Sequence, residues 1–146
     1  MSTTYLNPGT PIPIAQSDGL DKPYWDGMRE EKLLVQRCNS CGKHQWAPEW
    51  ICHHCLSFDV GYVEIAPEAV LYSWERNWHT PHPALKDQGP YLVILVEFPQ
   101  ADNIRMYGNL LGDPMQEVVI GSRLKGVYEH HKDAELPYSL LQWQLA

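Results

Sequence analysis

The sequence predicts a mainly β protein: a short N-terminal helix and a small cysteine-knuckled ribbon, followed by a barrel of five or six short strands. Three observations lead there. All four cysteines fall between Cys38 and Cys55, as two CxxC pairs. After Cys55 the apolar residues recur with period two in short runs broken by glycine and proline, the pattern of strands rather than helices. At 146 residues the chain has room for one or two small domains, and a ribbon of this size cannot build its own core. The core must therefore come from the strands.

Cys38-Asn39-Ser40-Cys41 and Cys52-His53-His54-Cys55 are separated by ten residues. A CxxC pair on a tight turn presents two thiolates to one ion, and two such knuckles complete the closed tetrahedral shell of a structural zinc site. Metal binding then replaces the missing core, because it supplies folding free energy directly. Gly42, directly after the first pair, suits a knuckle whose backbone folds back over its sulfurs with positive φ. A thioredoxin-like redox pair would need one motif in a βαβ context, and here there are two. Two disulfides would belong to a secreted chain, and the N-terminus does not read as a basic-then-apolar leader. A rubredoxin-type iron centre uses the same four ligands, so spacing leaves zinc and iron both open. His53 and His54 read as exposed knuckle residues, since four thiolates already fill the shell.

Composition is ordinary for a globular protein, at 44% hydrophobic and 20% charged residues. No apolar run approaches the roughly 18 residues that a membrane span needs, so the expected setting is cytoplasmic, away from a membrane. The formal charge is −7, and from Val60 onward six Lys/Arg face eleven Asp/Glu. A phosphate backbone demands a cationic surface, so this balance argues against nucleic acid as the ligand.

Residues 1–20 hold prolines and glycines around Pro11-Ile12-Pro13-Ile14 and read as an extended arm. Residues 21–59 should form the helix and ribbon. Asp21 offers an N-cap and Pro23 sits early in the first turn, where its missing N–H matters little. Tyr24, Trp25 and Met28 fall on one flank, with Asp26, Arg29 and Glu30 on the other. Gly27 weakens this helix, which must lean on packing; its expected role is to pin the ribbon to the larger domain. Leu33 to Arg37 leads into Cys38 as a strand. Trp46 and Trp50, between the knuckles, read first as a cover over the metal and a bridge to the next domain, and second as a contact surface for a ligand or partner.

Residues 60–146 should form the barrel. In Val70 to Trp78 the pattern places Val70, Tyr72, Trp74, Arg76 and Trp78 on one face, and Leu71, Ser73, Glu75, Asn77 and His79 on the other. Tyr91 to Val96 is apolar on both faces, which fits a strand buried on both sides or covered by a partner. Ile104 to Leu111 and Arg123 to Tyr128 follow as strands. The last strand sets Leu141, Trp143 and Leu145 against Gln142 and Gln144. Gly108, Gly121 and Gly126 suit the bends of a closed barrel. Between Trp78 and Pro90 lies the longest irregular stretch. Its His79 and His82 have no carboxylate or cysteine at ligand spacing, and together with Trp78 they read as contact residues rather than catalytic ones.

The order of parts resembles the DUF35 family of OB-fold proteins with a rubredoxin-like zinc ribbon. The resemblance rests on Tyr24-Trp25-Asp26-Gly27, the Leu33 to Gly42 run through the first CxxC, Leu71-Tyr72-Ser73, Pro81-His82-Pro83, Tyr91 to Glu97, Gly108-Asn109-Leu110, and Val118 to Glu129. It covers roughly residues 21 to 145. It implies a five-stranded OB barrel, a structural Zn²⁺ held by Cys38, Cys41, Cys52 and Cys55, and a role beside thiolase-superfamily enzymes acting on acyl-CoA. Retro-aldol or Claisen-type steps, including steroid side-chain degradation, are the implied chemistry. A hetero-oligomer of two plus two chains and an acyl-CoA hydratase as a further partner follow from the same resemblance. It transfers no set of catalytic residues. The residues agree, for no nucleophile with a recognisable base and no Gly-rich phosphate loop stands in the chain. Two other classes remain. OB barrels stack single-stranded nucleic acid on aromatics, here Tyr72, Trp74 and Trp78. A stand-alone acyl-CoA enzyme would use His79 or His82 as base.

Overall fold

A computed structural model describes residues 19–79, 83–85, 87 and 89–146. The expected arm lies almost wholly outside the described residues, as does His82. Helix α1 (Lys22–Arg29) begins where Asp21 and Pro23 predict it. Asp21 occupies the N-cap position without capping a backbone N–H; its carboxylate instead accepts from Trp25 Nε1 at 2.7 Å. Strand β1 (Leu33–Cys38) pairs antiparallel with β2 (His44–Gln45) on one side and with β3 (Val60–Ile65) on the other. Gly27 faces this ribbon so closely that a Cβ there would stand 2.7 Å from the Lys32 carbonyl oxygen. The residue that weakens the helix is the one that lets it approach.

The second sheet holds β4 (Glu68–Asn77), β5 (Tyr91–Phe98), β6 (Ile104–Asn109), β7 (Arg123–His131) and β8 (Tyr138–Leu145). Its order is β6-β5-β4-β7-β8, all antiparallel. A parallel bridge from Leu110 to Trp143 draws the two edge strands together. The result is a nearly closed five-stranded OB barrel, the predicted fold class. Closure requires Gly108, because a Cβ there would lie 2.6 Å from Trp143 Cδ1. Leu71, Leu92, Ile94, Val96, Phe98, Leu124 and Trp143 fill the barrel. Met28, Leu33 and Val35 belong to the same apolar cluster, so helix and ribbon share the barrel's core.

Three strand readings change. Strand β5 buries Leu92, Ile94, Val96 and Phe98 completely, while its other face is half-buried rather than sealed. Strand β4 carries a bulge: Leu71 pairs with Val96 and Ser73 with Leu95, so Tyr72 is the unpaired extra residue. The bulge breaks the expected common face. Trp74 turns onto the core, whereas Tyr72 is exposed beneath the Arg105 guanidinium, 3.5 Å from its ring centroid. On β8, Gln142 is buried instead of facing out, because its amide bonds Glu129 and the Asn109 N–H.

Candidate metal centre and its surroundings

Each CxxC closes by the same local device. Gly42 N–H donates to the Cys38 carbonyl at 2.9 Å, and Leu56 N–H donates to the Cys52 carbonyl at 2.8 Å. Both donors have positive φ, +74° at Gly42 and +63° at Leu56. Cys38 N–H to Lys43 O and Cys52 N–H to Ser57 O then tie the two limbs of each knuckle.

The two turns bring four free thiols together. Cys38 and Cys55 Sγ lie 3.6 Å apart, Cys41 and Cys52 Sγ 3.7 Å, and all four sulfurs stand within 4.8 Å of one another. A metal bonded tetrahedrally to four sulfurs at about 2.3 Å gives sulfur–sulfur edges of about 3.8 Å. A disulfide would need about 2.05 Å. The donor set thus fits a tetrahedral metal such as zinc. Cys41 N–H donates to Cys38 Sγ at 3.5 Å, and this bond leads the interactions that pull the Cys38 thiol down to about 6. Cys55, bonded to it across the shell, shifts the opposite way, so the thiols share their protons; a metal binds the thiolate form and displaces them.

Two buried glutamines position the second knuckle. Gln36 on β1 sits opposite Gln45 on β2, and the Gln45 amide donates to Gln36 Oε1. Gln36 also donates to Glu49 O at 2.8 Å and accepts from Glu49 N–H at 3.0 Å. Gln45 donates to Ile51 O and accepts from His53 N–H. The segment 49–53 therefore gets side-chain partners where it lacks a strand of its own. Sequence reasoning passed over both glutamines; their positions, two residues before Cys38 and four after Cys41, do not mark them as a pair until the β1–β2 register brings them together.

A second contact ties the ribbon to the barrel. Asp102, just past a short 3-10 turn at Pro99–Ala101, receives Lys43 Nζ at 2.8 Å, His44 N–H at 3.0 Å and His44 Nδ1 at 2.7 Å. Lys43 first, then His44, hold its carboxyl far below the usual carboxylate range. Lys43 and His44 follow directly on the first knuckle, so the metal turn is anchored to the β5–β6 connection.

The other residues singled out are dispersed. Trp46 packs on the Tyr24 ring with centroids 4.7 Å apart, joining ribbon to helix. Trp50 is 71% exposed. Trp78 and His79 are exposed just past β4, and the His79 ring has no carboxylate partner among the described residues. A carboxylate–histidine pair does exist elsewhere: buried Glu129 meets His131 Nε2 at 2.7 Å, with Gln142 on its second oxygen at 3.0 Å. No helix among the described residues is long and apolar enough to cross a membrane.

Residues 25–61 match the family model of the ChsH2 rubredoxin-like zinc ribbon domain, and residues 62–129 match that of the ChsH2 C-terminal OB-fold domain. A relative from Thermomonospora curvata named "Probable enoyl-CoA hydratase alpha subunit" is 35% identical over 102 residues, 69% of this chain. The match spans only 31% of that relative. Among solved structures, the chain is similar to one titled "Ltp2-ChsH2(DUF35) aldolase", at 30% identity and a TM-score of 0.72, covering 86% of this chain and 93% of that one. A DUF35 protein of unknown function from Sulfolobus solfataricus shares the fold at 19% identity and a TM-score of 0.61, over 88% of this chain and 87% of the other.

Proposed function

This chain belongs to the ChsH2 family of DUF35 proteins, and from that membership we propose that it is a zinc-containing accessory subunit of a thiolase-superfamily enzyme acting on acyl-CoA. One observation carries the reading: the chain matches 93% of a chain from a structure whose title pairs ChsH2 with Ltp2 as an aldolase. Retro-aldol or Claisen-type carbon–carbon chemistry is the reaction we assign to the assembly, with steroid side-chain degradation as one setting. The hydratase name of the Thermomonospora relative supports acyl-CoA as the substrate class and an acyl-CoA hydratase as a second partner.

In this reading Cys38, Cys41, Cys52 and Cys55 hold the zinc. The ion supplies a tetrahedral crosslink where the ribbon lacks a core, and takes no part in turnover. Asp102 carries that rigidity into the barrel, and the chain shapes the acyl-CoA entrance without contributing a nucleophile. The break in the β4 aromatic face weighs against the nucleic-acid reading.

The test is co-expression with a thiolase-superfamily aldolase encoded beside it, followed by affinity capture through a tag on this chain. We expect the aldolase to be retained and the eluate to cleave a 3-hydroxyacyl-CoA, with about one zinc per captured chain. Capture of this chain alone, with full activity in the unbound aldolase, would overturn the reading.

A further inference from the structure

The two knuckles share one backbone plan but fill its left-handed position differently. The first uses Gly42, which adopts positive φ freely. The second uses Leu56 at φ +63°, where a non-glycine side chain is strained. The Leu56 side chain is also 68% exposed, so the strain is not offset by burial within this chain. Neither the turn nor the core calls for leucine there.

Leu56 has company. Phe58 is 78% exposed, like Trp50. The Cys52 N–H to Ser57 O bond pairs the two limbs of the turn and sets the Trp50–Ile51 limb alongside Phe58. The Gln36–Gln45 pair, the backbone bonds and the cysteine shell fix this segment. Three large apolar side chains are thus exposed within one bonded segment, residues 50–58, and a pre-ordered segment loses less entropy when a partner covers it.

Charge narrows the occupant. Glu49 and Asp59 flank the patch, both exposed, and neither pairs with a cation among the described residues. Such a rim repels phosphate chains and anionic lipid surfaces. It suits a protein surface with the opposite rim.

We propose that the outer face of the second knuckle, formed by Trp50, Leu56 and Phe58, is the docking surface for the aldolase-type subunit, inserting into an apolar recess edged with Lys or Arg. The proposal rests on the accessory-subunit reading and locates its interface. It is tested by titrating full-length variants into the purified aldolase partner and reading affinity by calorimetry. Leu56→Asn should keep or raise the thermal midpoint of the free chain, since Asn tolerates the left-handed region, yet weaken association at least tenfold. Phe58→Ser should weaken association similarly, whereas Tyr107→Ser, an exposed aromatic on β6, should bind like the parent chain. Parent-like affinity of both knuckle variants would overturn this interface and leave the accessory reading standing. Failure of the parent chain to bind would end both. Self-association of the isolated chain that Phe58→Ser disperses would reassign the face to a second copy and overturn the aldolase as its occupant.

Discussion

At the residue scale, three side chains set measurable limits. Gly108 lies against the Trp143 indole, so Gly108→Ala must push a buried ring or the β6 backbone. The expected loss is about 1–3 kcal/mol, read as a lower denaturant midpoint. An unchanged midpoint would show that the barrel closes differently. Glu129 is 3% exposed and depends on His131 and Gln142 for its bonds. Gln142→Leu strips one carboxylate oxygen and should cost about 1–3 kcal/mol despite being apolar. Asp102 supplies the pH dependence. Its folded-state value lies below the ordinary carboxylate value of about 3.9, so its contribution is fully present above that value and is lost as pH falls toward the folded one. Asp102→Asn should flatten the acid limb of a stability–pH curve, with little change in the limb above neutrality. Gln142 also shows where single-sequence reading stops. Alternation on β8 places it outside, and the Glu129 carboxylate on β7 together with the Asn109 N–H on β6 draw it in.

At the scale of elements, the ribbon depends on its metal and on two glutamines. Removing zinc by chelation should release the second knuckle and weaken the Tyr24–Trp46 packing, visible as a change in tryptophan fluorescence. The barrel, whose strands supply most of the shared apolar cluster, should retain its far-UV signature. Simultaneous loss of both signals would mean that ribbon and barrel do not fold separably. Gln45→Leu orphans the Ile51 carbonyl and the His53 N–H and should lower apparent zinc affinity about tenfold or more while leaving all four ligands in place. The four cysteines, α1, β1 and the barrel strands were legible because spacing and period are local signals. The β4 bulge at Tyr72 was not: an extra residue leaves no mark in an alternating string, yet it decides which aromatics share a face. The knuckle apolar residues Leu56 and Phe58 were equally silent, since their meaning depends on φ and exposure.

At the scale of the whole molecule, a helix, a zinc-ribbon domain and an OB barrel share one apolar cluster, and Asp102 ties the ribbon to the barrel. Its membership of the ChsH2 family supports a role as a subunit of an assembly. The thiolase-like partner is expected to be dimeric, and a closed symmetric assembly would then carry one copy of this chain on each protomer. The most direct measurement is the mass, by size-exclusion chromatography with light scattering, of the peak obtained when the chain is co-expressed with its thiolase-superfamily partner. One peak with the mass of two chains of each kind is expected. Two separate peaks, with this chain eluting alone at its own mass, would rule out the shared assembly.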